Sequence, residues 1–364
     1  MNSLVNILLG IVVAWAVQPR NGRDDGLGWW RVLAGALAAW SPHLDNLFFL
    51  VGPGFGLHHQ YAETWSLLLA PFWAMVVAYF MSWLAGGHHH HHHEFEPATR
   101  SWQQFYLPVV AALYAALLLA LLTAQGVMPL APFLHWRFGF NIIYPFDLSI
   151  FFGLFFTTII CFLARTWWRD IARIALVLLL GYVVVVGTFR WRAVSVAEAY
   201  SKAMGLDVAA SYVLPQPISP LNWRLIVETK KGRLHDAMVN VYRSKERVVS
   251  DSSTRAWRVS AMYKPVDKAV WRIYSRFGYD DDQAFAEAAW QSKVNKKFRW
   301  ESRFAVMKDI VNYEDHRCAR FKDIRFAGAK RRYLGEYLLC RLNDTQWGIY
   351  QAADDGSFLR LDTM

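Results

Sequence analysis

The sequence predicts a polytopic α-helical membrane domain of about six segments, the second one broken, followed by a soluble mixed α+β domain. Three observations predict this fold class. Residues 1–192 contain long apolar runs, residues 193–364 are charged throughout, and aromatic side chains cluster at the ends of the apolar runs. A helix needs roughly 20 mostly apolar residues to cross the hydrocarbon core. We therefore divide the chain into a transmembrane domain (1–192), a linker (193–221) and a soluble domain (222–364).

The apolar runs give the predicted membrane segments in order. The first run, Leu4–Val17, follows no basic region and precedes no clear cleavage site. It is therefore expected to be a retained span and not a signal peptide. Tryptophans at the ends of several runs are typical of the interfacial belt of membrane helices. The six predicted segments are Leu4–Val17, Trp29–Val51, Trp65–Leu84, Phe105–Leu122, Leu148–Ala164 and Ile171–Phe189.

The second segment is interrupted by Ser41–Asn46, which contains a proline, a histidine and an aspartate. Such residues are costly in lipid and are found facing a bundle interior or a water-filled cavity, where an aspartate marks a functional site by default. Histidine and carboxylate groups are the usual ligands of zinc and similar divalent ions. The turn Pro53–Gly56 can fold the next polar stretch back towards the break. The candidate metal ligands are Asp45, His43, His58 and His59, with Glu63 as a candidate catalytic carboxylate.

A structural alternative exists for the same residues. In that interpretation Asp45 caps the second half of a broken helix, and the histidines lie at the membrane interface. Asp147, which follows a proline before the fifth segment, is predicted to cap that helix, because a carboxylate accepts from the free N–H groups at a helix start.

Basic residues near the segment ends predict the orientation, because cytoplasmic loops carry an excess of lysine and arginine. The larger set is placed in the cytoplasm, so that six spans leave both termini and the soluble domain in the periplasm. A re-entrant second segment would reverse this result. The larger set is Arg20, Arg23, Arg31, Arg100, Arg165, Arg169 and Arg173, and the smaller set is Arg137, Arg190, Arg192 and Lys202.

Charge and cysteine usage restrict the partners and the compartment. The net charge is +10, and much of it lies in the soluble half. A basic domain tethered to a bilayer is attracted to anionic head groups, whereas no nucleic-acid recognition motif is visible. Cys161 lies in an apolar run. Cys318 and Cys340 are either two free thiols or a disulfide formed in an oxidising compartment.

The soluble half alternates strand and helix patterns. Asn222–Thr229 and Leu234–Tyr242 are predicted to form a hairpin. The proline-rich stretch Leu214–Pro220 is expected to be a stiff connection. The remaining predictions are short helices over Pro265–Phe277 and Ala284–Trp290, and strands over Phe321–Phe326, Tyr333–Leu342 and Trp347–Ala352.

A run of six histidines, His88–His93, lies between the third and fourth predicted segments. Histidine tracts bind borderline divalent metals. The run is either a collecting loop for metal or a low-complexity loop that binds metal only adventitiously.

Several motifs together resemble the bacterial membrane-bound metal-dependent hydrolase family. Pro42–Asp45 resembles its Pro-Asp-x-Asp motif, Thr64–Leu68 its Thr-His-Ser-Leu-Leu motif, and Leu122–Phe133 its Gly-Val-x-x-Leu-x-Pro loop. The resemblance implies an inner-membrane hydrolase that uses a divalent metal, with an envelope or lipid-linked substrate. Departures affect its polar positions: His43 replaces an acid, Trp65 a histidine, and Ala116 and Ala120 the polar pair of Ser-His-x-x-x-Asp.

Three functions follow as hypotheses. The first is a metal-dependent inner-membrane hydrolase of unknown substrate. In this hypothesis the protein is either active or has become inactive because it lacks polar residues at the family's ligand positions. The second is a non-catalytic membrane protein whose soluble domain binds a partner. The third is a metal-handling protein that uses His88–His93.

Overall fold

The computed structural model describes residues 3–19, 27–52, 55–56, 59–87, 101–164, 166–279, 282–296, 299, 302–326, 335–344, 346–352 and 357–361. The chain forms two compact units. The helical unit is drawn from residues 1–48, 59–192 and 214–223, and the β-rich unit from residues 49–58, 193–213 and 224–364.

The N-terminal half is helical, as predicted. The second predicted segment is broken where the sequence placed the break, because α2 ends at Trp40 and residues Ser41–Leu50 continue as a 3-10 helix. By length and composition, α4 and α6 can each cross a membrane, and α1, α5 and most of α3 are shorter apolar helices. The helices are α1 (Ser3–Val17), α2 (Gly28–Trp40), α3 (Ala70–Gly87), α4 (Gln103–Leu121), α5 (Leu148–Leu163) and α6 (Trp168–Ala203).

Small residues allow α1 and α2 to approach closely. A Cβ atom added at Gly10 would overlap the carbonyl oxygen of Gly35, and it would lie 2.7 Å from the methyl group of Ala39. A Cβ at Gly35 would lie 2.6 Å from the methyl group of Ala14. Small residues at such contacts are typical of helix pairs in membranes, where close backbone approach replaces the hydrophobic effect as the source of association.

Replacing Gly10 with alanine is expected to destabilise the helical unit by about 1–3 kcal/mol, because the new methyl group meets backbone that cannot move aside easily. The measurement is thermal unfolding of the purified protein in detergent. Gly181→Ala in α6 is the matched control, since a Cβ there meets nothing within 4 Å. Equal unfolding temperatures for the two variants would contradict the close contact.

One end of the helical unit gathers several helix termini, and we call it the basic end. Arg173, near the start of α6, donates from Nε to the carbonyl of Ala16 in α1 at 2.9 Å. Arg31, near the start of α2, donates from Nε to the carbonyl of Gln104 in α4 at 3.3 Å. The C-terminal end of α1 and the N-terminal ends of α2, α4 and α6 therefore lie together.

The opposite end is closed by residues 41–48, 59–69 and 122–147, which we call the interlaced loops. The Ser66 hydroxyl donates to the carbonyl of Ala131 at 2.6 Å, and the amide of Met128 donates to the carbonyl of Tyr61 at 2.9 Å. Asp147 caps α5, as predicted, and its Oδ1 accepts from the amide of Ser149 at 2.8 Å. The loops are thereby fixed to each other by backbone hydrogen bonds.

The C-terminal half is β-rich, and its described residues include two short α-helices, α7 and α8, whose bounds are given below. One sheet has the order β1-β2-β3-β4, with β5 beside β3, and the other has the order β10-β9-β8-β7-β6. The elements are β1 (Val208–Pro215), β2 (Asn222–Thr229), β3 (Arg233–Asn240), α7 (Arg255–Ala261), β4 (Lys264–Pro265), β5 (Arg272–Ser275), α8 (Asp282–Gln291), β6 (Ala305–Tyr313), β7 (His316–Asp323), β8 (Glu336–Arg341), β9 (Trp347–Ala352) and β10 (Phe358–Arg360).

Several local predictions for this half are confirmed, and one is wrong. The hairpin appears as β2 and β3, the last predicted strand as β9, and the second predicted helix within α8. The predicted helix Pro265–Phe277 is wrong, because Arg272–Ser275 forms β5 and pairs antiparallel with the start of β3. Pairing with a distant strand outweighs the local helix pattern there.

Two further expectations are corrected. Residues 193–221 were predicted to be a linker, but α6 continues to Ala203 and β1 begins at Val208. The alternative of two free thiols is also wrong, because Cys318 and Cys340 form a disulfide. These cysteines are directly opposite each other on the antiparallel strands β7 and β8, where cross-strand side chains lie close together.

Candidate functional site

Asp45 lies at the centre of the interlaced loops, and 2% of its surface is exposed. Its Oδ2 atom accepts two hydrogen bonds, from the backbone amide of Tyr61 at 2.9 Å and from Nε1 of Trp65 at 3.0 Å. Hydrogen bonds to an ionised acceptor are about twice as strong as neutral ones. The carboxylate therefore ties the 3-10 helix after α2 to the turn that contains Tyr61 and Trp65.

His43 lies beside the same tryptophan. The ring centroids of His43 and Trp65 are 5.1 Å apart, in an edge-to-face arrangement. Nδ2 of Asn6 in α1 lies 3.0 Å from Nε2 of His43, so the amide donates to an imidazole nitrogen that acts as acceptor. A bond between α1 and the loops thus uses one of the two nitrogens that could bind a metal.

A second polar cluster consists of His59, Glu63 and His135. Nδ1 of His59 lies 3.0 Å from both carboxylate oxygens of Glu63, and Nε2 of His135 lies 3.7 Å from Oε1 of Glu63. All three side chains are partly exposed. One carboxylate is therefore shared by two imidazoles that come from different stretches of the interlaced loops.

The predicted ligand set is divided between these two places. Asp45 and His43 adjoin Trp65, whereas His59 pairs with Glu63. The fourth predicted ligand, His58, lies outside the described residues, and so does the histidine run His88–His93. In the part of the chain that the structure describes, no group of three His, Cys, Asp or Glu side chains is arranged to hold a metal ion. The assignment of these four residues as metal ligands therefore stays a prediction.

Apolar side chains fill the positions at which the resembling family carries polar ones. Trp65, at the histidine position, is fully buried, and so is Ala116. Ala120, at the second position of the lost polar pair, is 2% exposed. These residues belong to the hydrophobic core of the helical unit. Trp65 belongs to the motif that resembles Thr-His-Ser-Leu-Leu, and the two alanines belong to the one that resembles Ser-His-x-x-x-Asp. At all three positions a packed apolar side chain stands where the resembling family has a polar one.

Sequence reasoning missed three residues that complete these clusters. Asn6 in α1 gave a weak signal as a polar residue inside an apolar run, which costs free energy unless it is paired. Tyr61 contributes through its backbone, at a positive φ of 60° that no side-chain pattern indicates. His135 adjoins the family-like loop, but its meeting with Glu63 depends on how the two loops interlace.

Comparison with known proteins identifies a family for the helical half. The model of the YdjM inner membrane protein family matches residues 1–193. No curated protein and no solved structure matches the chain. The match is consistent with the resemblance to membrane-bound hydrolases and gives no evidence of metal dependence. Because the matched residues make up more than half of the 364, the chain belongs to the YdjM inner membrane protein family.

Proposed function

We propose that this protein is a non-catalytic, multi-pass inner-membrane protein whose soluble half works by binding a partner. The observation that carries the proposal is the use of Asp45. Its Oδ2 atom accepts from two donors that hold the interlaced loops together, and one of these donors belongs to a fully buried tryptophan. A carboxylate used in this way stabilises the fold, and a metal on the same Oδ2 atom would have to compete with both donors.

The contacts at the two ends of the helical unit support six crossings. The basic end joins the end of α1 to the starts of α2, α4 and α6 through Arg31 and Arg173. At the other end, Asp147 at the start of α5 accepts from the hydroxyl of Tyr182 in α6 at 2.8 Å. Helices α1 to α6 therefore alternate in direction between the basic end and the interlaced loops.

The same alternation supports a periplasmic soluble half. Arg31 and Arg173, two members of the larger set of arginines, lie at the basic end, which favours the cytoplasm for that end. Helix α6 begins there and leaves the helical unit at the opposite side. The disulfide between Cys318 and Cys340 suits an oxidising compartment.

The disulfide provides a test of this orientation. Cells are denatured in acid before alkylation, because all three cysteines are buried. Cys318 and Cys340 are then expected to resist a thiol reagent until a reductant is added. Replacing both with serine is expected to destabilise the soluble half by about 3 kcal/mol, given the 22-residue separation. Buried Cys161 is the internal reference for a reduced thiol. Complete alkylation of Cys318 and Cys340 without reductant would contradict the periplasmic assignment.

Elemental analysis of the purified protein tests the proposed function. The protein is prepared from metal-supplemented cells with His88–His93 replaced by glycine and serine, so that the run cannot contribute metal. We expect no stoichiometric metal in this protein or in its Asp45→Asn variant. About one divalent ion per chain that disappears in Asp45→Asn would overturn the proposal and would support the hydrolase.

A second candidate function is metal-dependent hydrolysis at the cluster of His59, Glu63 and His135, which would have to rearrange around an ion, since no three such side chains among the described residues are arranged to hold one. Two imidazoles and a carboxylate are a donor set that zinc takes in proteins. In this candidate the two histidines hold the ion, and Glu63 is a ligand or a base. The same analysis applied to the double variant His59→Gln, His135→Gln distinguishes it: metal lost here but kept in Asp45→Asn would place the ion at Glu63.

The third hypothesis, metal handling by His88–His93, stays a prediction because that run lies outside the described residues. Deleting the run and measuring metal tolerance of the cells tests it, and unchanged tolerance would contradict it.

A further inference from the structure

The surface formed by residues 242–264 of the soluble half combines exposed apolar side chains with positive charge, and we call it the basic-apolar surface. Val248 is 82% exposed, Tyr242 55% and Trp257 41%. Two neighbouring cavities of about 410 and 470 Å³ open on it and share Glu246, Arg247 and Val248 in their linings. Exposed apolar groups set among charges mark interaction sites more often than scattered ones do.

The charge of this surface is strongly unbalanced. Residues 242–264 contain six basic side chains and two acidic ones, and one of the acids, Glu246, is bonded to Lys264 at 3.4 Å. The basic residues are Arg243, Lys245, Arg247, Arg255, Arg258 and Lys264.

The arginines of this surface are held in place. Arg243 donates to the carbonyls of Ser260 and Tyr263, each at 2.7 Å, and Arg247 donates to the hydroxyl of Ser260 at 2.8 Å. The guanidinium of Arg247 also lies over the ring of Trp257, at 4.3 Å from its centroid. Burial and the positive charge of Arg247 lower the pKa of Arg243, which reflects how closely the cations are placed. An exposed tryptophan beside fixed cations is therefore a preformed feature of the fold.

We propose that the basic-apolar surface docks on the anionic phospholipid head groups of the membrane that carries the protein, with Val248 and Trp257 entering the interface. Tryptophan and aliphatic side chains bordered by lysine and arginine have the composition of interfacial membrane binding. Anionic lipids attract basic segments close to the surface. This inference rests on the proposed function and names the partner of the soluble half.

The tether favours a lipid surface over a soluble acidic protein. Helix α6 runs without interruption to Ala203, and β1 begins at Val208. The predicted membrane segment of α6 ends at Phe189, so the soluble half starts within about 20 residues of a segment that can cross the membrane. A short tether raises the effective concentration of head groups, so that weak contacts suffice for docking.

The test uses the full chain in nanodiscs. An environment-sensitive fluorophore is attached at Val248→Cys, with Cys161→Ala removing the other thiol and the disulfide left intact. We expect a blue shift and brighter emission in discs that contain phosphatidylglycerol, compared with discs of phosphatidylcholine alone. Lys245→Ala and Arg255→Ala are each expected to weaken docking about fivefold. Circular dichroism of each variant confirms that it folds.

Matched controls lie on other parts of the same half. Val270→Cys carries the fluorophore at an exposed position outside the surface, and Lys268→Ala removes an exposed cation outside it. Identical emission at position 248 in both lipids, or an equal shift at position 270, would overturn the proposal. A shift at position 248 that needs added polyglutamate and not anionic lipid would overturn it in favour of a soluble acidic partner. Either outcome leaves the proposed function untouched, because that function is tested separately by measuring whether metal is bound at Asp45.

Discussion

Replacing Asp45 with alanine is expected to lower the stability of the helical unit by about 3–5 kcal/mol, because two buried donors lose one shared charged acceptor. The donors are the amide of Tyr61 and Nε1 of Trp65. Asp45 and Trp65 are almost completely buried, and Tyr61 is partly buried. The measurement is the free energy of unfolding of the purified protein in detergent, obtained from thermal or denaturant unfolding curves.

Two matched variants make this prediction specific. Asp45→Asn keeps one acceptor oxygen in place, so it is expected to cost less than Asp45→Ala. Asp170→Ala removes an exposed carboxylate in the first turn of α6 and is expected to change stability by less than about 1 kcal/mol. Equal losses for Asp45→Ala and Asp170→Ala would show that the hydrogen bonds of Asp45 do not hold the loops.

Replacing Arg224 with methionine is expected to destabilise the soluble half by about 3–5 kcal/mol, because it leaves the carboxylate of Asp236 buried without its partner. Nε and Nη2 of Arg224 donate to the two oxygens of Asp236 at 2.6 and 2.7 Å, and both side chains are 2% exposed. Nη1 of Arg224 also donates to the carbonyl of Arg325 at 3.1 Å. The pair therefore joins β2, β3 and the turn that follows β7.

A double-mutant cycle separates the interaction energy of the Arg224–Asp236 pair from the cost of burying each charge. The double variant Arg224→Met, Asp236→Leu is expected to recover much of the loss, since an apolar pair of similar volume can replace a buried ion pair. Lys230 and Asp207 form the exposed control pair, at 2.8 Å, and Lys230→Met is expected to cost less than about 1 kcal/mol. Additive losses in the buried cycle would contradict a coupled ion pair.

Prediction from the sequence succeeded where the signal was local. The hairpin of β2 and β3 was predicted because strand alternation and the turn residues lie in one continuous stretch. The break after Trp40 was predicted because proline cannot continue the hydrogen bonding of a helix. Strand β5 was missed because its pairing partner lies almost 40 residues earlier, and no local pattern specifies that pairing.

The candidate site was predicted in composition and not in arrangement. Asp45 and His43 were identified because polar groups in an apolar run are costly without a purpose. His59 and Glu63 were identified because imidazole and carboxylate groups bind divalent ions. Their division into two clusters depends on Trp65, which takes the Asp45 carboxylate, and on His135, which approaches Glu63 from the second loop. Asn6 joined the site because α1 packs beside the loops.

The sequence by itself determined that this protein has a helical, apolar N-terminal half and a charged C-terminal half that contains both helices and strands. The apolar character and the length of each run are properties of the chain alone, and they decide which segments avoid water. Only the tertiary structure decided which polar groups meet, that Cys318 faces Cys340, and that Asp45 supports the interlaced loops. These pairings join residues far apart in the chain, and their energies depend on geometry that a linear pattern does not contain.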